Sequence, residues 1–374
     1  MRNGWNTVSL PERVDAQNYE EVRRDIAEAA KEYKDDQSFF LYLDAKKTIY
    51  ISSVGIRTIL MLKKEIQNIA VVNVNPSLYG ILALTGMNNI IIVVPPIEEI
   101  TLDGCQEISS GLNSRVYRMD EDKICKLFEP RNGLRDVLME KQMSLKAIQA
   151  GLPTALSFQV VTCSGRYGVV YELLRFTTLS EVVREHPEQL DEVVREYVGF
   201  LNDIHGTVAT QFPKAKKYYE SKVLDAIGGY IDEPHAGALF KVFEGIPEGQ
   251  GFIHGDPHFA NLFRNEEGLM FVDLDSVRCG DPVWDLVALH GTMISLRIFN
   301  EIDVLHLGSV ARYPALWEMI IDEYVRQNGS DRESLYRITE TLSYGRALVY
   351  AVRHGTEGEK IQLIRDRLYR ALGW

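Results

Sequence analysis

Two consecutive prolines, Pro95 and Pro96, divide the chain into two stretches whose residue patterns call for different architectures. Proline lacks a backbone N–H and biases the residue before it toward extended backbone, so a pair of them ends whatever element precedes. Ahead of the pair, short apolar alternations take turns with apolar residues at three- and four-residue steps. Val8 to Leu10 reads as a strand and Tyr19 to Tyr33 as a helix on which Val22, Ile26 and Ala29 share a face. Ser38 to Leu43 is a strand in which Phe39, Leu41 and Leu43 alternate. A helix from about Val54 to Ile66, a strand Ala70 to Val74, a short helix near Ser77 to Leu84 and a strand Ile90 to Val94 complete the series. Strands separated by helices build a mostly parallel sheet covered by helices.

Beyond the prolines, Glu98 and Glu99 open a linker and the pattern changes. Ser114 to Arg118, Lys123 to Phe128, Phe158 to Cys163 and Gly168 to Leu173 read as strands around one helix, Leu134 to Ala150. After about Leu179 the pattern is helical, interrupted by a polar, glycine-containing stretch from Phe252 to Asp285. A small sheet lobe followed by a helical lobe leaves a cleft suited to a ligand. The division expected is residues 1–96, a linker at 97–103, a small lobe at 104–174 and a helical lobe at 175–374. Residues 1–96 carry 11 basic and 11 acidic side chains, so the net charge of -12 falls wholly on the second stretch. That balance disfavours a nucleic-acid partner. No apolar run approaches the roughly 20 residues that cross a bilayer, and no basic-then-apolar leader is present. Cys105, Cys125, Cys163 and Cys279 are spaced too widely for a CxxC pair or a zinc knuckle and read as thiols in a reducing compartment. A cytoplasmic protein without membrane or nucleic-acid partners is expected.

Chemistry concentrates in His254-Gly255-Asp256-Pro257-His258-Phe259-Ala260-Asn261, then Val272-Asp273-Leu274-Asp275, then Gly280-Asp281-Pro282-Val283-Trp284-Asp285. Phosphoryl transfer from ATP needs a carboxylate to orient the attacking hydroxyl and oxygen ligands to hold magnesium against the phosphates. An Asp and an Asn five residues apart, with a second Asp on the next apolar hairpin, supply those groups. The arrangement resembles the aminoglycoside phosphotransferase and choline kinase superfamily, which shares the two-lobed α+β fold of protein kinases. The resemblance implies that Asp256 is the catalytic carboxylate and that Asn261 and Asp273 ligate Mg2+. It gives Asp281 and Asp285 the work of holding loops and helix starts, and Asp275 a lesser place near a second metal. In the front lobe, Lys126 lies on the apolar strand Ile124 to Phe128 and would reach the α and β phosphates, with Glu140 as its carboxylate partner. Ile108 to Tyr117, with Ser110 and Gly111, occupies the place of the nucleotide loop with one glycine where related loops carry two or more. Tyr171-Glu172-Leu173-Leu174 occupies the hinge, so Glu172 and Leu174 are expected to grip adenine.

The first stretch carries its own resemblance. Val14 to Asn18 before a helix, Tyr50-Ile51-Ser52-Ser53-Val54-Gly55-Ile56-Arg57, Val72 to Pro76 and Leu84 to Met87 are together similar to a STAS domain, the α/β fold (mixed sheet with helices) of anti-sigma-factor antagonists. In that family a serine at a helix start is phosphorylated to switch partner binding, which implies Ser53 as the regulatory site and a protein partner at this surface. The residues equally allow Ser52 or Ser53 to serve only as the helix cap. The stretch is short by about one strand, leaving a sheet edge for a partner or the kinase lobe to cover. The leading expectation is an ATP- and Mg2+-dependent phosphotransferase acting on a hydroxyl of a small molecule, regulated or localised by a STAS domain. From Glu181 to Glu248, 13 acidic residues face 7 basic ones, a balance that would welcome an amine-bearing alcohol. The competing expectation is a signalling adaptor whose kinase-like domain senses nucleotide or is inactive. A third makes a protein serine, even Ser53, the acceptor.

Overall fold

The computed structural model describes residues 6–33, 39–66, 68–111, 113–266, 268–298, 302–356 and 358–374. Contacts divide the chain into two compact units, residues 1–142 with 158–171 and residues 143–157 with 172–374.

The first unit opens with β1 (Asn6–Ser9), β2 (Arg13–Val14), α1 (Tyr19–Ala30), β3 (Leu41–Asp44), β4 (Tyr50–Ile51), α2 (Ser53–Glu65), β5 (Ile69–Val72), α3 (Pro76–Leu84) and β6 (Ile92–Val93). Strands β1, β3, β5 and β6 lie side by side in that order, and their pairings are parallel. The strand expected from Ser38 begins at Leu41, and Ser38 itself lies outside the described residues. Leu41, Leu43, Ile69 and Val71 share one core with Val22, Ile26 and Ala30 of α1, Ile56, Ile59 and Leu62 of α2, and Leu78 and Leu82 of α3. All three helices therefore cover the same face of the sheet. Ser52 caps α2, its hydroxyl accepting from Gly55 N at 3.3 Å. Gly55 lets α2 sit against the short β2–β4 pair, because a Cβ there would stand 2.7 Å from Val14 O.

The same unit continues through β7 (Glu98–Glu99), β8 (Gln106–Ser110), β9 (Ser114–Arg118), β10 (Lys123–Phe128), the first part of α4 (Leu134–Gln149), which passes into the second unit at Met143, and β11 (Ser157–Cys163) and β12 (Arg166–Glu172) apart from their end residues Ser157 and Glu172. These strands form a sheet in the order β7-β11-β12-β10-β9-β8. Two stretches differ from their sequence reading. Part of the expected linker is strand β7, paired in parallel with Val161 and Thr162, because the edge of β11 offers unpaired backbone groups that Glu98 and Glu99 take up. The expected nucleotide loop is an antiparallel hairpin, β8 with β9, whose register shifts between Glu107 and Ser109. The shift is a bulge at Ile108, and Gly111 N closes the turn on Ser114 O at 2.9 Å. Leu112 of that turn lies outside the described residues.

The second unit holds β13 (Thr177–Thr178), α5 (Leu179–Glu185), α6 (Leu190–His205), α7 (Ala215–Tyr219), α8 (Asp225–Ile227), α9 (Glu233–Glu244), β14 (Gly251–Ile253), β15 (Leu262–Asn265), β16 (Gly268–Phe271), β17 (Arg278–Gly280), α10 (Val283–Met293), α11 (Tyr313–Asn328), α12 (Arg332–Arg353) and α13 (Glu359–Ala371). Trp284 and Val287 of α10 pack with Leu342, Ala347 and Leu348 of α12, Leu239 and Phe243 of α9, and Leu368 of α13. The polar stretch 252–285 contains four strands of three or four residues. Strands that short leave too few positions for apolar alternation to register. The pair β14 and β17 brackets the stretch and the hairpin β15–β16 lies within it, so its loops are anchored at every end.

Candidate active site

Strand β14 delivers the chain into a loop that only glycine can begin. Gly255 has φ +83°, and a Cβ there would stand 2.3 Å from Ser276 O. Asp285, in the first turn of α10 and fully buried, accepts the N–H groups of His254 at 3.0 Å and Gly255 at 2.6 Å. It also accepts Nε2–H of His205, at the end of α6, at 2.9 Å. Burial holds the His254 imidazole below its ordinary pKa, and its bonds describe the neutral ring. Asp256 N donates to Nδ1 at 3.3 Å, and Nε2–H donates to Val272 O at 3.0 Å.

These bonds bring three of the expected residues together. Asn261 Nδ2 donates to Asp256 O at 3.0 Å, and Val272 N donates to Asn261 O at 2.9 Å, which ties Asn261 to the strand end that carries Asp273. With Nδ2 so engaged, Oδ1 is the Asn261 atom that could serve as a metal ligand. Asp273 has φ +65°, a left-handed conformation that few residues other than glycine adopt. The Asp256 side chain is 41% exposed, with Thr292 Oγ1 3.4 Å from Oδ1 and His258 Nε2 3.5 Å from Oδ2. An accessible carboxylate on a buried, fixed backbone is the arrangement a proton acceptor needs.

In the first unit, Cys125 and Leu127 of β10 point into the core of the small sheet, and Lys126 points the other way. Lys126 Nζ donates to Glu140 Oε1 at 2.9 Å, with the two side chains 13% and 4% exposed. The Tyr171 hydroxyl donates to the same oxygen at 2.9 Å. Ser110 and Gly111 lie at the exposed turn of the β8–β9 hairpin. Glu172 and Leu174 belong to the second unit and separate in role. Glu172 N donates to Leu156 O at 3.0 Å and its carboxylate accepts Leu156 N at 2.6 Å, so it fastens a loop. Leu174 makes no backbone hydrogen bond among the described residues.

Residues 104–334 match the model of the phosphotransferase enzyme family. The chain belongs to this family. Residues 2–100 match the STAS domain. The fold is that of aminoglycoside phosphotransferases. A thermostable mutant of aminoglycoside phosphotransferase APH(4)-Ia, solved with ADP and hygromycin B, superposes with a TM-score of 0.52 at 13% identity, covering 72% of this chain and 93% of that one. The apo form of the same enzyme gives 0.51 at 13% identity over 72% and 94%. No curated protein sequence matches the chain.

Within each unit, side chains that the sequence reading gave no role hold the expected residues. Tyr171 was read as part of the hinge segment, yet its hydroxyl shares the Glu140 carboxylate. His205 and Thr292 stand 80 and 36 positions from their partners Asp285 and Asp256, and no local pattern joins such pairs. Asp281 Oδ1 accepts Val283 N at 3.0 Å, so it holds the start of α10. In the STAS domain, Ser52 is the cap and Ser53 the exposed first residue of α2, which separates the two serines the sequence left equivalent.

Proposed function

We propose that this phosphotransferase moves the γ-phosphoryl group of ATP to a hydroxyl of a small molecule, with Mg2+, and that the STAS domain regulates or localises the activity. The observation that carries this reading is the Lys126–Glu140 pair. A buried ion pair is a poor stability device, since removing two charges from water offsets most of their attraction. Its use is to hold an ammonium at a fixed position, where nucleotide phosphates need it. In this reading the Tyr171 hydroxyl fixes the rotamer of Glu140, and Ser110 and Gly111 offer small residues to the phosphates. Leu174 offers backbone groups to adenine.

Oδ1 of Asn261 and the Asp273 carboxylate are hard oxygen donors of the kind Mg2+ takes, and the ion would neutralise charge developing on the phosphates. Asp256 then takes the hydroxyl proton as the acceptor oxygen bonds to phosphorus and the bond to the ADP oxygen breaks. The APH(4)-Ia complex holds hygromycin B beside ADP, and that kinship supports a hydroxyl-bearing small molecule here. The acidic balance of residues 181–248 favours an acceptor with an amine. Among the described residues no helix is long and apolar enough to cross a membrane.

The test is Asp256→Asn. General-base contributions run to about 10²–10⁴-fold, so turnover of ATP against a panel of amino alcohols, aminoglycosides and sugars should fall at least about 100-fold. Binding of a fluorescent ATP analogue should stay within a few-fold of the parent. Retained turnover would remove Asp256 from the chemistry.

A further inference from the structure

One face of the STAS sheet is buried although, among the described residues, none of the domain's helices covers it. Along β3 and β5, Leu41, Leu43, Ile69 and Val71 face the helices. The alternate residues Tyr42, Ala70 and Val72 face the other way, yet they are 5%, 0% and 8% exposed. Phe40 and Val94, at the ends of neighbouring strands, are buried at 7% and 5% and likewise lie outside the helix-side core. The cover stops short of β1. Thr7, the parallel partner of Tyr42, and Ser9, the partner of Asp44, are both exposed. What lies over this face therefore reaches it from the β6 side, where the chain leaves at Val94 for β7.

From that point the chain is committed to the small lobe. Ile100 N donates to Thr162 O at 2.8 Å, Ser164 N donates to the Glu99 carboxylate at 3.0 Å, and Ile100 and Leu102 pack on the small-lobe core. The ionisation of Tyr42 is opposed chiefly by burial and is then modulated by Arg135, Asp136 and Tyr167, all of the small lobe. Arg135 and Asp136 lie in the first turn of α4, and Glu140 lies one turn further along the same helix.

We infer that the outer face of the STAS sheet is an intramolecular docking surface for the small lobe, and that Tyr42 is a positioning residue acting through the start of α4 on the Lys126–Glu140 pair. The strand β7 holds the two domains in register, and the sheet face bears on the helix end nearest the pair. A change in the STAS domain then reaches the nucleotide phosphates through helix position. The inference rests on the proposed function only for its consequence on ATP; the docking itself is independent of it.

The experiment uses the full chain. Ala70→Lys drives a long cation into the outer face while leaving Ile69 and Val71, on the helix side, untouched. Hydrogen exchange followed by mass spectrometry should show at least tenfold faster exchange in peptides spanning 134–142, with α1 and α2 protected as in the parent. Binding of the fluorescent analogue mant-ATP should weaken at least fivefold. The same substitution on Glu140→Gln should weaken it no further, because both act on one unit. Tyr42→Phe should restore most of the protection that Tyr42→Ala loses, and this pair decides the matter if Ala70→Lys disturbs the STAS core. Unchanged exchange at 134–142 in Tyr42→Ala would overturn the inference. Faster exchange in the variants, with a parent that binds no mant-ATP, would keep the docking and sink the nucleotide reading instead.

Discussion

Asp285 shows how much of a site can depend on a residue that touches no substrate. Its carboxylate is fully buried and takes two backbone N–H groups of the loop that carries Asp256, together with the ring of His205. An amide at this place keeps one acceptor oxygen and turns an NH2 group toward donors that need a lone pair. Leaving buried donors unsatisfied costs about 1–3 kcal/mol each. Asp285→Asn should therefore lower stability by a few kcal/mol in denaturant titration. It should reduce turnover more than nucleotide binding, since the displaced loop carries Asp256, the proposed base. Equal losses in both would make Asp285 a purely structural residue. The sequence spaced Asp281 and Asp285 correctly for loop and helix-start roles, and both roles are seen. It could not separate Ser52 from Ser53, because either hydroxyl can cap a helix until the register of α2 is known.

Among the elements, β10 and α4 carry the clearest case of interdependence. Lys126 and Glu140 are 14 residues apart, on a strand and a helix that approach each other through this pair. Removing one partner of a buried pair leaves an uncompensated charge, which costs about 3–5 kcal/mol. Lys126→Met and Glu140→Gln should each reduce turnover strongly, and the double variant should lose much less than the sum of the two. Additive losses, read as logarithms of kcat/KM, would dissolve the proposed unit. Elements of this size were legible. Strands β9 and β10 and the helices α2 and α4 lie where periodicity put them, because five or more residues let an apolar face declare itself. The strand β7 was not legible, since Glu98 and Glu99 look like solvent-facing linker and become strand only through the edge of β11. Nor was the β8–β9 hairpin, whose polar Gln106 to Ser110 has no buried face to give it away.

Taken whole, the chain carries an acid sensitivity in two buried imidazoles of the second unit. His290 of α10 is fully buried, with Nδ1 2.9 Å from Ser343 Oγ of α12, and burial pushes its pKa down to about 3. His254 is shifted in the same direction, again first by burial. An unfolded histidine titrates near 6.5, so below that pH the unfolded chain binds protons that the folded chain refuses. Stability contributed by the neutral rings is complete above about pH 6.5 and is lost as pH falls toward the folded value. For His290 the cost should be about 1.4 kcal/mol per pH unit in that window. Unfolding of the second unit can be followed by the fluorescence of Trp284 and Trp317, both in its core. Between pH 6.5 and 5 the parent should lose about 2 kcal/mol through His290 alone. In His290→Gln, which keeps a polar partner for Ser343 but does not titrate, the slope should be shallower by one ring's share. An unchanged slope in that variant would mean that α10 and α12 open enough to let His290 protonate in place, and the packing that seats Asp285 at the head of the same helix would be looser than its buried core implies.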